Sequence, residues 1–323
     1  MYKKIFLSMP LAISCLASFS ALAENFPNKP IRIVVPYAAG GTTDMLARVV
    51  GKHMSESLGQ SVIVENKPGA NGMLGSSMVA KSTPDGYTLG IATPGNHAAN
   101  ASLYKDVPYD TVKDFTAVSH AVNSPMVLIA HPDLGVKTVG ELIDKAKKSP
   151  KTIVYASGGT GSSMHLAMEQ FAKKAGIEMI HVPYKGSGNS YIDLLSGRVS
   201  LLIDITPQAL PRIRSGELLA LGVGAKGRLP ELPNVPTIDQ SGVPGYEAGS
   251  WYGFVAPAGV PSDVLAKLNG AINDALRNPS IDKQLREAGL QVVASTPQAF
   301  QSFIEQQVAS SAQIIKDAGI KPE

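Results

Sequence analysis

The chain has 323 residues, 29 Lys and Arg against 26 Asp and Glu, a formal net charge of +3 and 44% hydrophobic residues. A nearly balanced charge without a Lys/Arg cluster excludes the electrostatic footprint of a nucleic-acid binder, and one cysteine, Cys15, excludes a disulfide framework. The length suits two globular domains, each with material for its own core.

The first segment reads as an export address. Met1-Tyr2-Lys3-Lys4 is a basic start, 5–22 is mostly apolar, and Ala21-Leu22-Ala23 fits the small-x-small pattern of a cleaved leader. Cleavage after Ala23 would leave 300 of the 323 residues and remove Cys15, Lys3 and Lys4, so 27 basic residues would face 26 acidic ones. Ala12-Ile13-Ser14-Cys15 loosely matches a lipoprotein site that would leave a lipid on Cys15. The Ala-x-Ala site fits better, so a soluble periplasmic protein is expected. No later apolar run has the length to span a bilayer.

Strands then alternate with helices. A buried strand over 31–35 ends in a turn at Gly40-Gly41, after which Met45, Leu46, Val49, Val50, Met54 and Leu58 recur at helical spacing. A short strand over 62–65, a Pro-Gly turn, a second helix and a strand over 87–92 complete a pattern that predicts a parallel sheet with right-handed crossovers. The stretches 118–121 and 126–130 read as the first bridge into a second lobe. There a helix over 138–148 precedes a strand over 153–155, and Met164, Ala167, Met168, Phe171 and Ala175 mark the face of the next helix. Strands over 179–182, 199–203 and 218–223 follow, with Thr206-Pro207 as an N-cap and first-turn proline between the last two. The stretch 251–256 is the return bridge. Helices beginning at Pro261, Pro279 and Pro297 are expected to pack back on the first lobe, which makes that lobe discontinuous: 24–122 with 253–323, around a second lobe of 123–252.

Two stretches are nearly identical: Tyr37-Ala38-Ala39-Gly40-Gly41-Thr42 and Tyr155-Ala156-Ser157-Gly158-Gly159-Thr160. Both follow a β-branched run and open a helical segment. A strand ending in such a turn leaves unpaired N–H groups at the helix start, beside the positive end of the dipole, which suits an anion. If the two turns face each other, they grip a small carboxylate between them.

Seven motifs in order resemble the Bug (TctC-like) family of extracytoplasmic solute receptors, over essentially the whole mature chain. They are Pro27-x-x-Pro30, Val35-Pro36-Tyr37-Ala38-Ala39-Gly40-Gly41-Thr42-Thr43-Asp44, Val64-Glu65-Asn66-Lys67-Pro68-Gly69-Ala70, Pro84-Asp85-Gly86-Tyr87-Thr88-Leu89, Val182-Pro183-Tyr184-Lys185-Gly186-Ser187, Pro233-Asn234-Val235-Pro236-Thr237 and Trp251-Tyr252-Gly253-Phe254-Val255-Ala256-Pro257. The resemblance implies an α/β type II periplasmic-binding-protein fold, two lobes joined by two crossing strands with the ligand in the cleft. It also implies no cofactor, a small organic acid, amino acid or related amide as ligand, and permease subunits of a tripartite tricarboxylate transporter as partners of a monomer. Carried onto this sequence, the first wall of the site is Tyr37, Ala38, Thr42 and Thr43. The second is Ser157, Gly159, Thr160, Gly161, Ser162 and Ser163.

Further residues stand at predicted strand ends, where open α/β sheets bind ligands. Asp204 could accept a hydrogen bond from a ligand or cap the following helix; Ile203-Asp204 departs from the Phe-Asp pair usual in relatives. Thr93 and Asn96 belong at the cleft rim, with His97 a weaker candidate. Asp44 is expected to pair with backbone N–H groups at its helix start, and Arg48 to face solvent. No nucleophile elbow, zinc motif, phosphate loop or dinucleotide fingerprint occurs. The enzymatic rival is a serine hydrolase using Ser162 or Ser163 with His165 and Asp204; a Ser–His pair two or three residues apart on one helix seldom makes the required contact. A ligand-presenting sensor for a membrane signalling protein would use the same site.

Overall fold

The computed structural model describes residues 26–184 and 186–322; the expected leader over 1–23, with Cys15, lies outside them. In chain order, β1 (Ile31–Val35), α1 (Thr42–Leu58), β2 (Val62–Asn66), α2 (Met73–Ala80) and β3 (Thr88–Ala92) come first. A π-helical turn over Gly95–Ala99 and the short α3 (Asn100–Leu103) precede β4 (Phe115–Ala130). Then follow α4 (Val139–Lys148), β5 (Val154–Ser157), α5 (Ser163–Ala175), β6 (Ile180–Pro183), α6 (Ser187–Leu195), β7 (Leu201–Ile205), α7 (Thr206–Arg214) and β8 (Leu219–Val223). The chain closes with β9 (Gly249–Pro257), α8 (Ser262–Arg277), α9 (Pro279–Glu287), β10 (Gln291–Val292) and α10 (Pro297–Asp317).

The strand order is β2-β1-β3-β9-β4-β7-β5-β6, with β8 and β10 also paired to β4. β1 pairs in parallel with β2 and β3, and β5 in parallel with β6 and β7, as expected for strand–helix–strand crossovers. The two parallel units are joined by β4, whose 16 residues form one strand. Its first part pairs antiparallel with β9, from Phe115 opposite Pro257 to Pro125 opposite Gly249, and its last part lies between β7 and β8. The separate extended pieces expected at 118–121 and 126–130 are therefore continuous. Asn123 and Ser124 break the apolar run that would have shown this, yet they stay in the ladder opposite Trp251 and Ser250.

Each unit has its own core. Ile33, Leu46, Met54, Leu89 and Phe254 pack with Leu268 and Ile272 of α8, while Leu128, Tyr155, Met168, Phe171 and Ile203 form a second cluster. The α5 face read from the sequence is the buried one, from Met164 to Ala175, and each large side chain so buried contributes about 1.5–3 kcal/mol. The last three helices do return to the first unit. Phe300 of α10 rests on β9 so closely that a Cβ on Gly253 would lie 2.2 Å from its ring, so only glycine fits there. The end of α10 also reaches α5: Lys173 Nζ is 2.7 Å from Asp317 Oδ2, and Ile315 packs with Leu103 and Leu166.

One expected cap is corrected. The N-cap position of α7 is Ile205, and the Thr206 hydroxyl donates instead to the Pro125 carbonyl at 2.7 Å. It fastens α7 to the crossing strand.

Candidate functional site

A cleft of about 890 Å³ opens between the two units. Tyr37, Thr42, Thr43 and Thr93 line it from the first, and Gly161, Ser162, Ser163 and Asp204 from the second. The helix starts α1 and α5 thus share one cavity, and first-turn N–H groups have no acceptor within their helices.

The first wall is held by a chain of side-chain bonds. The Tyr37 hydroxyl lies 3.0 Å from Thr93 Oγ1, which donates to Asn96 Oδ1 at 2.8 Å. Asn96 itself does not reach the cleft. Its Oδ1 also accepts the Thr93 N–H at 2.8 Å, and its Nδ2 donates to Ser76 Oγ at 2.8 Å and the Ile91 carbonyl at 3.0 Å. With that amide saturated, Asn96 sets Thr93 and Tyr37 instead of meeting a solute. Burial pushes the Tyr37 phenol up to about 12, so it stays a neutral donor.

Asp44 does bind the turn: its Oδ2 accepts the Gly40 N–H at 3.0 Å. Arg48 Nε bonds both carboxylate oxygens, at 3.1 and 3.0 Å, and its Nη2 donates to Asn66 Oδ1 at 3.1 Å. Arg48 is exposed, as expected, and at the same time grips the Asp44 carboxylate. The guanidinium lowers the Asp44 carboxyl to about 2, and Asn66 Nδ2 in turn donates to the Tyr37 carbonyl at 3.1 Å. This ion pair braces the turn; neither Asp44 nor Arg48 lines the cleft.

In the second wall the helix begins later relative to the twin glycines: α1 starts directly after Gly41, whereas Thr160, Gly161 and Ser162 stand between Gly159 and α5. The N-cap of α5 is Ser162, with Oγ accepting the His165 N–H at 3.3 Å. Ser157 is fully buried, exchanges hydrogen bonds with both Gly159 N and Gly159 O at 3.1 Å, and lies 2.7 Å from His181 Nε2. It shapes the turn. Ala38, Gly159 and Thr160 also stand off the cleft wall, Ala38 and Thr160 at exposed turn tips.

Asp204 forms part of the second wall and is only 4% exposed. Oδ1 accepts the Ile205 N–H at 2.8 Å, while Oδ2 has no partner among the described residues. Burial raises its pKa to about 7. Oδ2 is buried, with the Tyr191 hydroxyl near the carboxyl, so Asp204 can meet a donor arriving with a solute only as the cleft rearranges around it. His97 is elsewhere: fully buried, its ring 4.5 Å from Phe115, with neither nitrogen partnered among the described residues and its pKa lowered by burial to about 3.

Some wall residues carried no signal in the sequence. Lys226 and Arg228 reach the cleft from the loop after β8, and Gln307 from α10. Lys226 and Arg228 fall between the strand over 218–223 and the bridge over 251–256 with no motif of their own, and a glutamine on a long helix has no pattern that marks it.

The family model described as "Tripartite tricarboxylate transporter family receptor" matches residues 46–320. The chain belongs to this receptor family. BugT of Bordetella pertussis is 35% identical over 300 residues, 93% of this chain and 92% of BugT. The R. palustris protein Rpa4515, solved with adipate, is 39% identical, covers 93% of this chain and 100% of its own, and superposes with a TM-score of 0.82. MatC of Rhodopseudomonas palustris, solved with malate, is 30% identical, covers 90% of this chain and 100% of its own, with a TM-score of 0.77. A TctC-family member is a solute receptor, not an enzyme. The geometry agrees: Ser162 Oγ caps the His165 backbone N–H, and the His165 ring instead accepts from Gly161 N at 3.0 Å. No nucleophile–base pair forms there.

Proposed function

We propose that this receptor works outside the cytoplasm, exported by its N-terminal leader, and captures a small carboxylate-type metabolite between two closing lobes for delivery to a tripartite membrane transporter. The observation that carries this reading is the pair of helix starts, α1 and α5, opening with Thr42, Thr43, Ser162 and Ser163 on one cleft. The adipate and malate found in two relatives support the same solute class.

Such a grip needs no arginine. Charge-assisted hydrogen bonds contribute about 1.5–3 kcal/mol each and a helix start up to about 2 kcal/mol. After ordering costs, a few such contacts leave about −8 kcal/mol, a micromolar dissociation constant. The carboxylate lies against the two helix starts, and Asp204 accepts a hydroxyl, amide or amine hydrogen, or a bridging water. We place the lobes at 24–122 with 253–323 and at 123–252, so that the hinge falls where β4 and β9 cross. A solute touching both lobes favours the closed form, which the permease subunits then read.

A thermal-shift screen of mono-, di- and tricarboxylates with their neutral amides tests this. Saturation at a hundred times the dissociation constant adds about 2.7 kcal/mol. Stabilisation by amides alone, with every carboxylate inert, would contradict the proposed anion grip.

A further inference from the structure

Behind the second wall, three rings from three elements form a stack. Tyr155 of β5 lies 4.9 Å from His181 of β6 at 20° between ring planes, and His181 lies 3.9 Å from His165 of α5 at 11°. Both imidazoles hold the turn that shapes the cleft. His181 Nε2 is 2.7 Å from Ser157 Oγ, and His165 Nδ1 accepts the Gly161 N–H at 3.0 Å. That second bond fixes the tautomer: Nδ1 carries no proton, so the His165 hydrogen sits on Nε2, 3.9 Å from Glu169 Oε1. Glu169 is the carboxylate facing the pair and takes a hydrogen bond from the Tyr155 hydroxyl. The groups facing His165 are thus His181, Glu169 and Tyr155.

Gly161 is where this arrangement meets function. It lines the cleft between the turn and the α5 start. Its φ of +75° suits glycine, and a Cβ there would lie 2.9 Å from Leu103 Cδ2 of the opposite unit. One residue therefore touches the solute space, the other unit and the His165 ring.

We propose that His165 is a positioning residue for solute capture: its uncharged Nδ1 holds Gly161 and the following serines in their binding shape, and a proton gained by the His165–His181 stack releases them. A proton on Nδ1 turns the acceptor into a second donor facing the Gly161 N–H, and the bond is lost. Parallel rings 3.9 Å apart cannot both carry charge cheaply, so the stack takes one proton at a time. Burial lowers both imidazoles, His181 to about 4 and further helped down by His165, while Glu169 pulls His165 the other way. The receptor then keeps its grip at neutral pH and loses it on acidification. This rests on the cleft being the solute site, so the first measurement needs no solute.

In ¹⁵N-labelled protein, the His165 imidazole and the Gly161 amide are followed by NMR from pH 7.5 to 3.5. The Gly161 resonance is expected to move with the His165 titration. In His165→Asn, whose Oδ1 replaces Nδ1 as acceptor but takes no proton, Gly161 should stay still. In a second arm, wild-type affinity for adipate or malate, whichever binds, falls across that titration about tenfold more than it does in His165→Asn, in which Asp204 and the solute carboxylates still titrate. His165→Gln, which moves the acceptor off Gly161, weakens binding already at pH 7.5. A Gly161 amide indifferent to His165 protonation, or a His165 uncharged until the protein unfolds, would overturn the proposal. If neither acid binds at pH 7.5, neither is the solute, the carboxylate reading is judged by the wider screen, and the solute-free titration still decides the role of His165.

Discussion

Asp204→Asn separates two properties that the wild-type carboxyl combines. The folded state raises this group from 3.8 to about 7 through burial. A carboxyl raised on folding binds its proton more tightly in the native than in the unfolded chain, so stability falls as pH rises from about 4 to about 7 and levels off above. At 1.36 kcal/mol per unit, the two units between pH 5 and pH 7 correspond to a loss of about 3 kcal/mol. Asparagine keeps the acceptor for the Ile205 N–H and carries no charge at any pH. Its unpartnered nitrogen costs about 1–3 kcal/mol, equally across the range. The buried histidines slope the opposite way but are common to both proteins, so the difference between the two isolates Asp204. Urea midpoints at pH 5, 6, 7 and 8 measure it. The variant is expected to gain on wild type by about 3 kcal/mol between pH 5 and pH 8, while losing affinity for donor-bearing solutes. Parallel stability profiles would refute the assignment of an ionising, buried Asp204.

Gly41 and His97 give two further tests. Gly41 sits at φ −85°, with nothing within 4 Å of a Cβ built on it, so Gly41→Val should cost less than about 1 kcal/mol of stability. It should nonetheless abolish solute-induced stabilisation by filling the α1 start, as thermal shift with and without carboxylate will show. His97, lowered to about 3, must stay neutral when folded, so its contribution is whole above the unfolded value of 6.5 and drains as pH falls toward 3. His97→Leu should therefore remove about 2 kcal/mol of acid destabilisation between pH 7 and pH 5, read from denaturation midpoints; an unchanged acid limb would show that His97 is not the buried neutral group described.

Much of the architecture was legible because it is local. A β-branched run, a Gly-Gly turn and a helical period state where β1, α1, β5 and α5 begin; Thr42, Thr43, Ser162 and Ser163, which the family resemblance assigned to the two walls, line the cleft. Asn96 and Ser157 were legible as polar residues at strand ends but not as saturated ones. Their partners, Ser76 and His181, come from other elements 20 and 24 residues away. Arg48 showed the same limit: an i,i+4 partner in Asp44 was readable, a second partner in Asn66 was not.

What the residues settled alone is the succession of elements, the two matching helix starts and the receptor family, since each depends on neighbours along the chain. Only the folded chain decided that Asp204 keeps an oxygen unused, that His165 and His181 stack behind Gly161, and that α10 crosses to α5. Burial and ring contact depend on which distant segments pack together, and side-chain proton affinities follow from that burial.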